Sequence, residues 1–208
     1  MSINVMVVIP SSMPSLNLSF VYSDIHIASG ISANIESLHI STQAGSINSE
    51  SPMIYTNHTA VHTLAGSIKG SFILGDSLSL VTSAGSIDVE ISPDLKVKSP
   101  KATLETTTNA GSLKISLLAP LIHRNQLSAT HLCTLGTTNL RYPIDWEGVV
   151  HGQTSAGLIS MTGEGLEIVD SGGHLGERTM KAVKGKDPEE KSHVEILNTV
   201  GSIRFQLQ

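Results

Sequence analysis

The chain of 208 residues holds one cysteine, Cys133. A single thiol excludes an internal disulfide framework and every multi-cysteine zinc site. Aromatic residues make up 3% of the chain, too few to supply stacking platforms for single-stranded nucleic acid. Thirteen Lys and Arg against eighteen Asp and Glu leave a formal charge of −5, the wrong sign for a phosphate backbone. No apolar run exceeds six residues, the longest being Val5–Ile9 and Leu117–Ile122, the second broken by Pro120. No helical membrane span is therefore encoded. The first residues also lack the basic start and apolar centre of a secretory leader. Asn-Gly and Asp-Gly, the strongest tight-hairpin signals, do not occur.

What the chain has in excess is Ser and Thr, 29 and 17 residues respectively, a composition suited to strands rather than packed helices. It also repeats itself. One phrase recurs as Gln43-Ala44-Gly45-Ser46-Ile47, Leu64-Ala65-Gly66-Ser67-Ile68, Ser83-Ala84-Gly85-Ser86-Ile87 and Asn109-Ala110-Gly111-Ser112-Leu113. Looser copies are Ser155-Ala156-Gly157-Leu158-Ile159 and Thr199-Val200-Gly201-Ser202-Ile203. Successive glycines are 21, 19, 26, 46 and 44 residues apart, so the last two steps read as doubled. Leu135-Gly136-Thr137-Thr138 splits the first of these into 25 and 21. Ser171-Gly172-Gly173 is a poorer copy in the second, and Ser29-Gly30-Ile31 is a poor one at the start.

The flanks of each phrase alternate with period two. Leu78, Leu80, Thr82 and Ala84 share one parity before the glycine, and Ile87, Val89 and Ile91 continue one residue out of phase. Leu104, Thr106, Thr108 and Ala110 give way likewise to Leu113, Ile115 and Leu117. Such alternation marks strands with one buried face, and a repeated one-residue slip at Gly-Ser marks a corner between two strands. Recurrence at fixed phase favours stacking, with like side chains one above another in Ala and Ser columns about 4.8 Å apart. The sequence thus predicts an all-β, single-domain parallel β-solenoid of about 20-residue coils, with an antiparallel β-sandwich as the alternative. Residues 1–15 read as an irregular lead-in and 16–208 as the solenoid domain. Two excursions interrupt the repeat, one at His123-Arg124-Asn125-Gln126 and one from Gly176 to Ser192. The second reads as a solvated charged loop or hairpin tip, with room for a short helix in 176–186.

Chemistry-bearing residues are sparse. His58 and His62 have the spacing of zinc ligands on a helix, but the Thr and Val around them predict an extended segment without a third ligand. Cys133 falls at the phase of the inward Thr82 and Thr108, which makes it a small buried thiol rather than a nucleophile. No Gly-x-Ser-x-Gly elbow, Walker loop or dinucleotide fingerprint occurs; Gly163-Glu164-Gly165 and Gly172-Gly173-His174-Leu175-Gly176 fall short of the last. Asp88 and Glu90 share an outward face, and from the neighbouring copies Glu105 is the one candidate for an aligned partner. The only Trp lies in Asp145-Trp146-Glu147, and it reads as an aromatic cap over a coil edge. The sequons at Asn17 and Asn57 are as many as chance provides and carry no inference about secretion.

The phrase Leu-x-Thr-x-Ala-Gly-Ser-Ile-x-Val resembles fungal proteins with an adhesin-like repeat domain. So do Gly70-Ser71-Phe72-Ile73-Leu74 leading into Leu78-Ser79-Leu80, and Leu140-Arg141-Tyr142-Pro143-Ile144-Asp145-Trp146-Glu147-Gly148. Those proteins are themselves similar to bacterial auto-transporter adhesin head domains of unknown function. The resemblance covers roughly residues 35–208. It implies a β-solenoid, no catalytic residues to carry over, and in many members a membrane-anchoring segment ahead of the domain. This sequence shows no such segment.

The expectation is a non-enzymatic structural or adhesive module presenting a rigid Ser/Thr-rich surface to a cell-wall glycan or surface protein. No catalytic, cofactor or metal residues are assigned, and no nucleic acid or membrane span is expected. The resemblance implies a cell-surface or membrane-anchored module, for which the sequence itself shows neither a signal peptide nor a transmembrane segment. Two alternatives stand beside it. One is a carbohydrate-active enzyme on the same fold, with Asp88, Glu90 and Glu105 as acids and Trp146 as sugar platform. The other is an intracellular interaction scaffold.

Overall fold

The computed structural model describes residues 7–50, 54–96, 100–120, 126–173 and 176–208. Alternation and corners produce two facing sheets. The long sheet runs β1 (Ser12–Tyr22), β3 (Ala33–Ala44), β5 (Ile54–Ala65), β7 (Ser77–Ala84), β9 (Lys101–Ala110), β11 (Gln126–Leu135), β17 (Ser192–Val200), β13 (Gly148–Ala156), β16 (Arg178–Lys184) and β15 (Glu167–Gly172). The short sheet runs β2 (Ile25–Ile27), β4 (Ile47–Ser49), β6 (Ile68–Leu74), β8 (Ile87–Pro93), β10 (Leu113–Leu117), β12 (Thr138–Tyr142), β18 (Ile203–Leu207) and β14 (Ile159–Thr162). Each coil is one long-sheet strand, a Gly-Ser corner and one short-sheet strand, and successive coils pair parallel and in register. The fold is the parallel β-solenoid. Antiparallel pairing is confined to β13–β16 and β16–β15 at one end.

The corner explains the recurring glycine. A Cβ on Gly45, Gly66, Gly85, Gly111, Gly136, Gly201 or Gly157 would lie 1.7–2.1 Å from the carbonyl oxygen of the corner residue in the neighbouring coil. No side chain fits where a backbone oxygen already stands. The last inward residue of the long strand then hydrogen-bonds that oxygen. Thr63 donates to Gly45 at 2.9 Å, Thr82 to Gly66 at 2.8 Å, Thr108 to Gly85 at 2.8 Å and Thr154 to Gly201 at 2.9 Å. Cys133 and Asn198 stand in the same column and reach Gly111 and Gly136 at 3.4 and 3.3 Å. A buried carbonyl that misses the strand ladder is thereby satisfied.

The Ser column runs up the outside of the corner. The backbone N–H groups of Ser67, Ser86 and Ser112 donate to the hydroxyls of Ser46, Ser67 and Ser86 at 3.3, 3.4 and 3.1 Å. The Ala column differs from its expected inward place. Ala44 is half-buried, Ala65, Ala84, Ala110 and Ala156 are exposed, and Leu135 and Val200 occupy the same register position 53% and 45% exposed. The chain turns outward one residue earlier than strict alternation implies, so the inward set ends at Thr.

Coil order departs from chain order. The C-terminal pair β17–β18 lies between β11–β12 and β13–β14, so Gly201 contacts Gly136 on one side and Gly157 on the other. The 44-residue step therefore hides no further coil. Ser171-Gly172-Gly173 lies at the end of β15, in the hairpin that closes this end of the long sheet. Gly136 is a true corner, whereas Gly30 sits in a turn away from the ladder and Ser23 takes the corner position of the first coil.

Boundaries shift accordingly. β1 begins at Ser12, inside the segment expected to be irregular. The charged excursion forms strand β16 over 178–184 and a 3-10 turn at Pro188–Glu190, with no helix in the described part of 176–186. Of the other excursion, His123, Arg124 and Asn125 lie outside the described residues, and Gln126 opens β11.

The core is a continuous file between the sheets. Leu38, Ile40, Leu78, Leu80, Leu104, Val194 and Ile196 face Ile47, Ile68, Ile87, Leu113, Ile115 and Ile203, all at most 5% exposed. Each such side chain contributes roughly 1.5–3 kcal/mol by leaving water.

Candidate functional site

With the interior filled, chemistry is left to the two outer faces and to one buried cluster. The outer face of the long sheet carries polar rows in register. Ser15, Ser37, His58, Ser77, Thr103, Ser128 and His193 form one row. Asn17, His39, Ala60, Ser79, Glu105, Thr130 and Glu195 form the next, and Ser19, Ser41, His62, Val81 and Thr107 the third. Neighbours bind one another lightly, as in Ser41–Ser19 at 3.1 Å and His58 Nδ1–Ser77 Oγ at 2.9 Å. Seven coils thus offer a hydroxyl-rich plane, charged only at Glu105 and Glu195 in these rows, with a coil repeat of about 4.8 Å.

The outer face of the short sheet is charged instead. Its central row reads His26, Asn48, Lys69, Asp88, Lys114, Asn139 and Arg204. Lys114 Nζ pairs with Asp88 Oδ1 at 3.0 Å, with both side chains about half exposed. Exposed pairs of this kind contribute at most about 1 kcal/mol.

The buried cluster lies between β11, β12 and β18. His131 is fully buried in the column that holds Leu80, Thr106 and Ile196. Its Nδ1 meets Thr106 Oγ1 at 2.7 Å and its Nε2 meets Tyr142 Oη at 2.9 Å. The neutral ring donates through one nitrogen and accepts at the other, which both hydroxyls accommodate. Burial lowers the His131 pKa to about 3 and raises that of Tyr142. Tyr142 packs edge-on against Trp146 at 6.1 Å, and Phe205 lies 5.1 and 5.5 Å from these two rings. No solvent reaches this network, so it holds the fold and meets no substrate.

The candidates from the sequence do not assemble. Asp88 and Glu90 project from the short sheet, while Glu105 projects from the long sheet on the opposite side of the stack. Trp146 is 1% exposed over Tyr142 and Phe205, so it offers no sugar platform. The turn at Pro143–Trp146 folds it inward, with Trp146 N–H donating to the Pro143 carbonyl at 3.0 Å. His58 and His62 lie on extended β5, as expected. Among the described residues no group of three or more His, Cys, Asp or Glu could hold a metal ion. Cys133 is buried and unpaired, and burial raises its thiol pKa. Asn17 and Asn57 are both exposed.

No protein-family model matches the chain, and neither does any curated protein or solved structure.

Proposed function

We propose that this protein is a non-enzymatic adhesive module whose working part is the outer face of the long sheet, presented at a cell surface to a neutral cell-wall glycan. The observation that carries the reading is the in-register row Ser37, His58, Ser77, Thr103 and Ser128, flanked by the row His39, Ala60, Ser79, Glu105 and Thr130. Hydroxyl and imidazole groups at a fixed repeat match the donors and acceptors along a linear neutral polysaccharide. A rigid sheet also loses little conformational entropy on binding. The resemblance of the repeat phrase to adhesin-like domains supports the same reading.

Binding to immobilised β-glucan, mannan and chitin tests it. The expected result is saturable binding to at least one polymer. Ser77→Glu with Ser79→Glu should abolish it without changing the melting temperature. Absence of binding to all three, or binding indifferent to the substitutions, contradicts the proposal.

A further inference from the structure

The two ends of the stack are built differently. At the C-terminal side β16 lies antiparallel across β13, and the outermost strand β15 carries Glu167 and Asp170. Charge on an edge strand discourages further pairing. At the other end β1, the eleven residues Ser-Met-Pro-Ser-Leu-Asn-Leu-Ser-Phe-Val-Tyr without a charge, has no strand on its outer side among the described residues.

The core is also unfinished there. Leu16, Leu18 and Phe20 are half-buried, whereas Leu38, Ile40 and Thr42 above them are 5%, 1% and 2% exposed. Leu16, Leu18 and Phe20 line an open cavity of about 290 Å³ with Ile25, Ile27 and Ile31, and Val7, Ile9, Asp24 and His26 stand at its wall.

We infer that this end is a homodimer interface, in which β1 of one copy pairs antiparallel with β1 of a second copy. The backbone sets the register. In the long sheet outward residues turn their N–H to the preceding coil, as Asn34 does to Ser11, Thr103 to Asp76 and Gln126 to Pro100, whereas inward Ser192 turns its own to the following coil, so Asn17, Ser19 and Val21 point their N–H and C=O groups to the free edge. A two-fold axis through Ser19 sets Ser19 opposite Ser19, and Asn17 opposite Val21, of the other copy as hydrogen-bonded pairs. Both long sheets then keep their inner faces on one side, and the two cavities close on each other.

The strand is about 36 Å long and the two-sheet stack roughly 20 Å thick, so the end offers about 700 Å² per copy. The pair would bury about 1,400 Å², within the range of stable interfaces. The chargeless strand brings no like charges together at the axis. The hairpin at the far end blocks head-to-tail growth of the long sheet, so association closes at two copies rather than forming a filament.

Sedimentation of the full chain over a concentration series reads the stoichiometry. Ser19 is exposed on the outer face, so Ser19→Lys leaves the monomer folded while setting two ammonium groups across the axis. It should weaken dimerisation by about tenfold or more. Ser19→Cys places two thiols at a hydrogen-bonded pair, about 5.5 Å between Cα atoms and within disulfide reach, and mild oxidation should trap a covalent dimer. Buried Cys133 should not react under these conditions, and Ser160→Cys at the opposite end should stay monomeric.

A concentration-dependent dimer, weakened by Ser19→Lys and trapped through Ser19→Cys, supports the inference. A monomer at every concentration, a filament, or a dimer indifferent to both substitutions overturns it.

Discussion

A Cβ placed on Gly85 would stand 1.9 Å from the carbonyl oxygen of Gly66 in the coil below. This relationship recurs at seven corners, and it makes the glycine a steric requirement of stacking rather than a local turn preference. Gly85→Val is expected to cost several kcal/mol, because both coils must separate to admit the side chain. Urea denaturation of the variant checks it. A midpoint matching the parent would show that the corner is not as close as described.

Thr82 satisfies the same oxygen of Gly66 from the inside, at 2.8 Å. Thr82→Val keeps the shape and removes the donor, so a buried carbonyl loses its partner at a cost of about 1–3 kcal/mol. Thr82→Ser restores a hydroxyl and should recover much of that loss. Equal destabilisation by both variants would mean that packing, not the hydrogen bond, holds the column.

The outward place of Ala84 gives a contrasting expectation. Leu135 and Val200 already fill that register position while exposed, so Ala84→Leu should change stability by no more than about 0.5 kcal/mol. A loss comparable to that of Gly85→Val would place the alanine inside the bend after all.

His131 supplies a pH signature. Its folded-state pKa is lowered to about 3, whereas an unfolded histidine titrates near 6.5. Between those values the unfolded chain binds the extra proton. The contribution is therefore full above about pH 6.5 and falls as pH drops towards 3, by roughly 4–5 kcal/mol across the window. Thermal melts at pH 7, 5.5 and 4 should show a steeper decline for the parent than for His131→Gln. Parallel declines would mean that His131 is not the group that destabilises the fold in acid.

Much of this architecture is legible in the residues because stacking demands the same atoms at every corner. Gly45, Gly66, Gly85 and Gly111 mark their corners, and the one-residue slip at each separates the two sheets. The coil order is not legible, because the phrase around Gly201 is one more copy of the repeat and carries no address. The chain reaches its place between Gly136 and Gly157 after the β15–β16 hairpin, and β16 falls in the segment that reads as a charged loop. Trp146 is hidden for a similar reason: it lies in a turn, where alternation gives no inward or outward sense. His131 was readable, since it stands two residues before Cys133 in the parity of Leu80 and Thr106. Its neighbours in space, Tyr142 and Phe205, come from other coils and could not be joined to it by spacing alone.

The outer polar face is legible as composition but not as a surface. Its rows exist only once register sets Ser37, His58 and Ser77 side by side. None of these positions has an adjacent-sequence motif to announce it.

Everything about the stack follows from one claim, that the C-terminal coil β17–β18 is spliced into the interior between β11–β12 and β13–β14. Native-state amide hydrogen exchange resolved by residue tests it most directly. If β17 has neighbours on both sides, the amides of Val194, Ile196 and Asn198 should exchange as slowly as those of Leu104, Thr106 and Thr108 in β9. Exchange of β17 at the rate of a frayed terminal strand, with β9 protected, would contradict the splice and the coil order built on it.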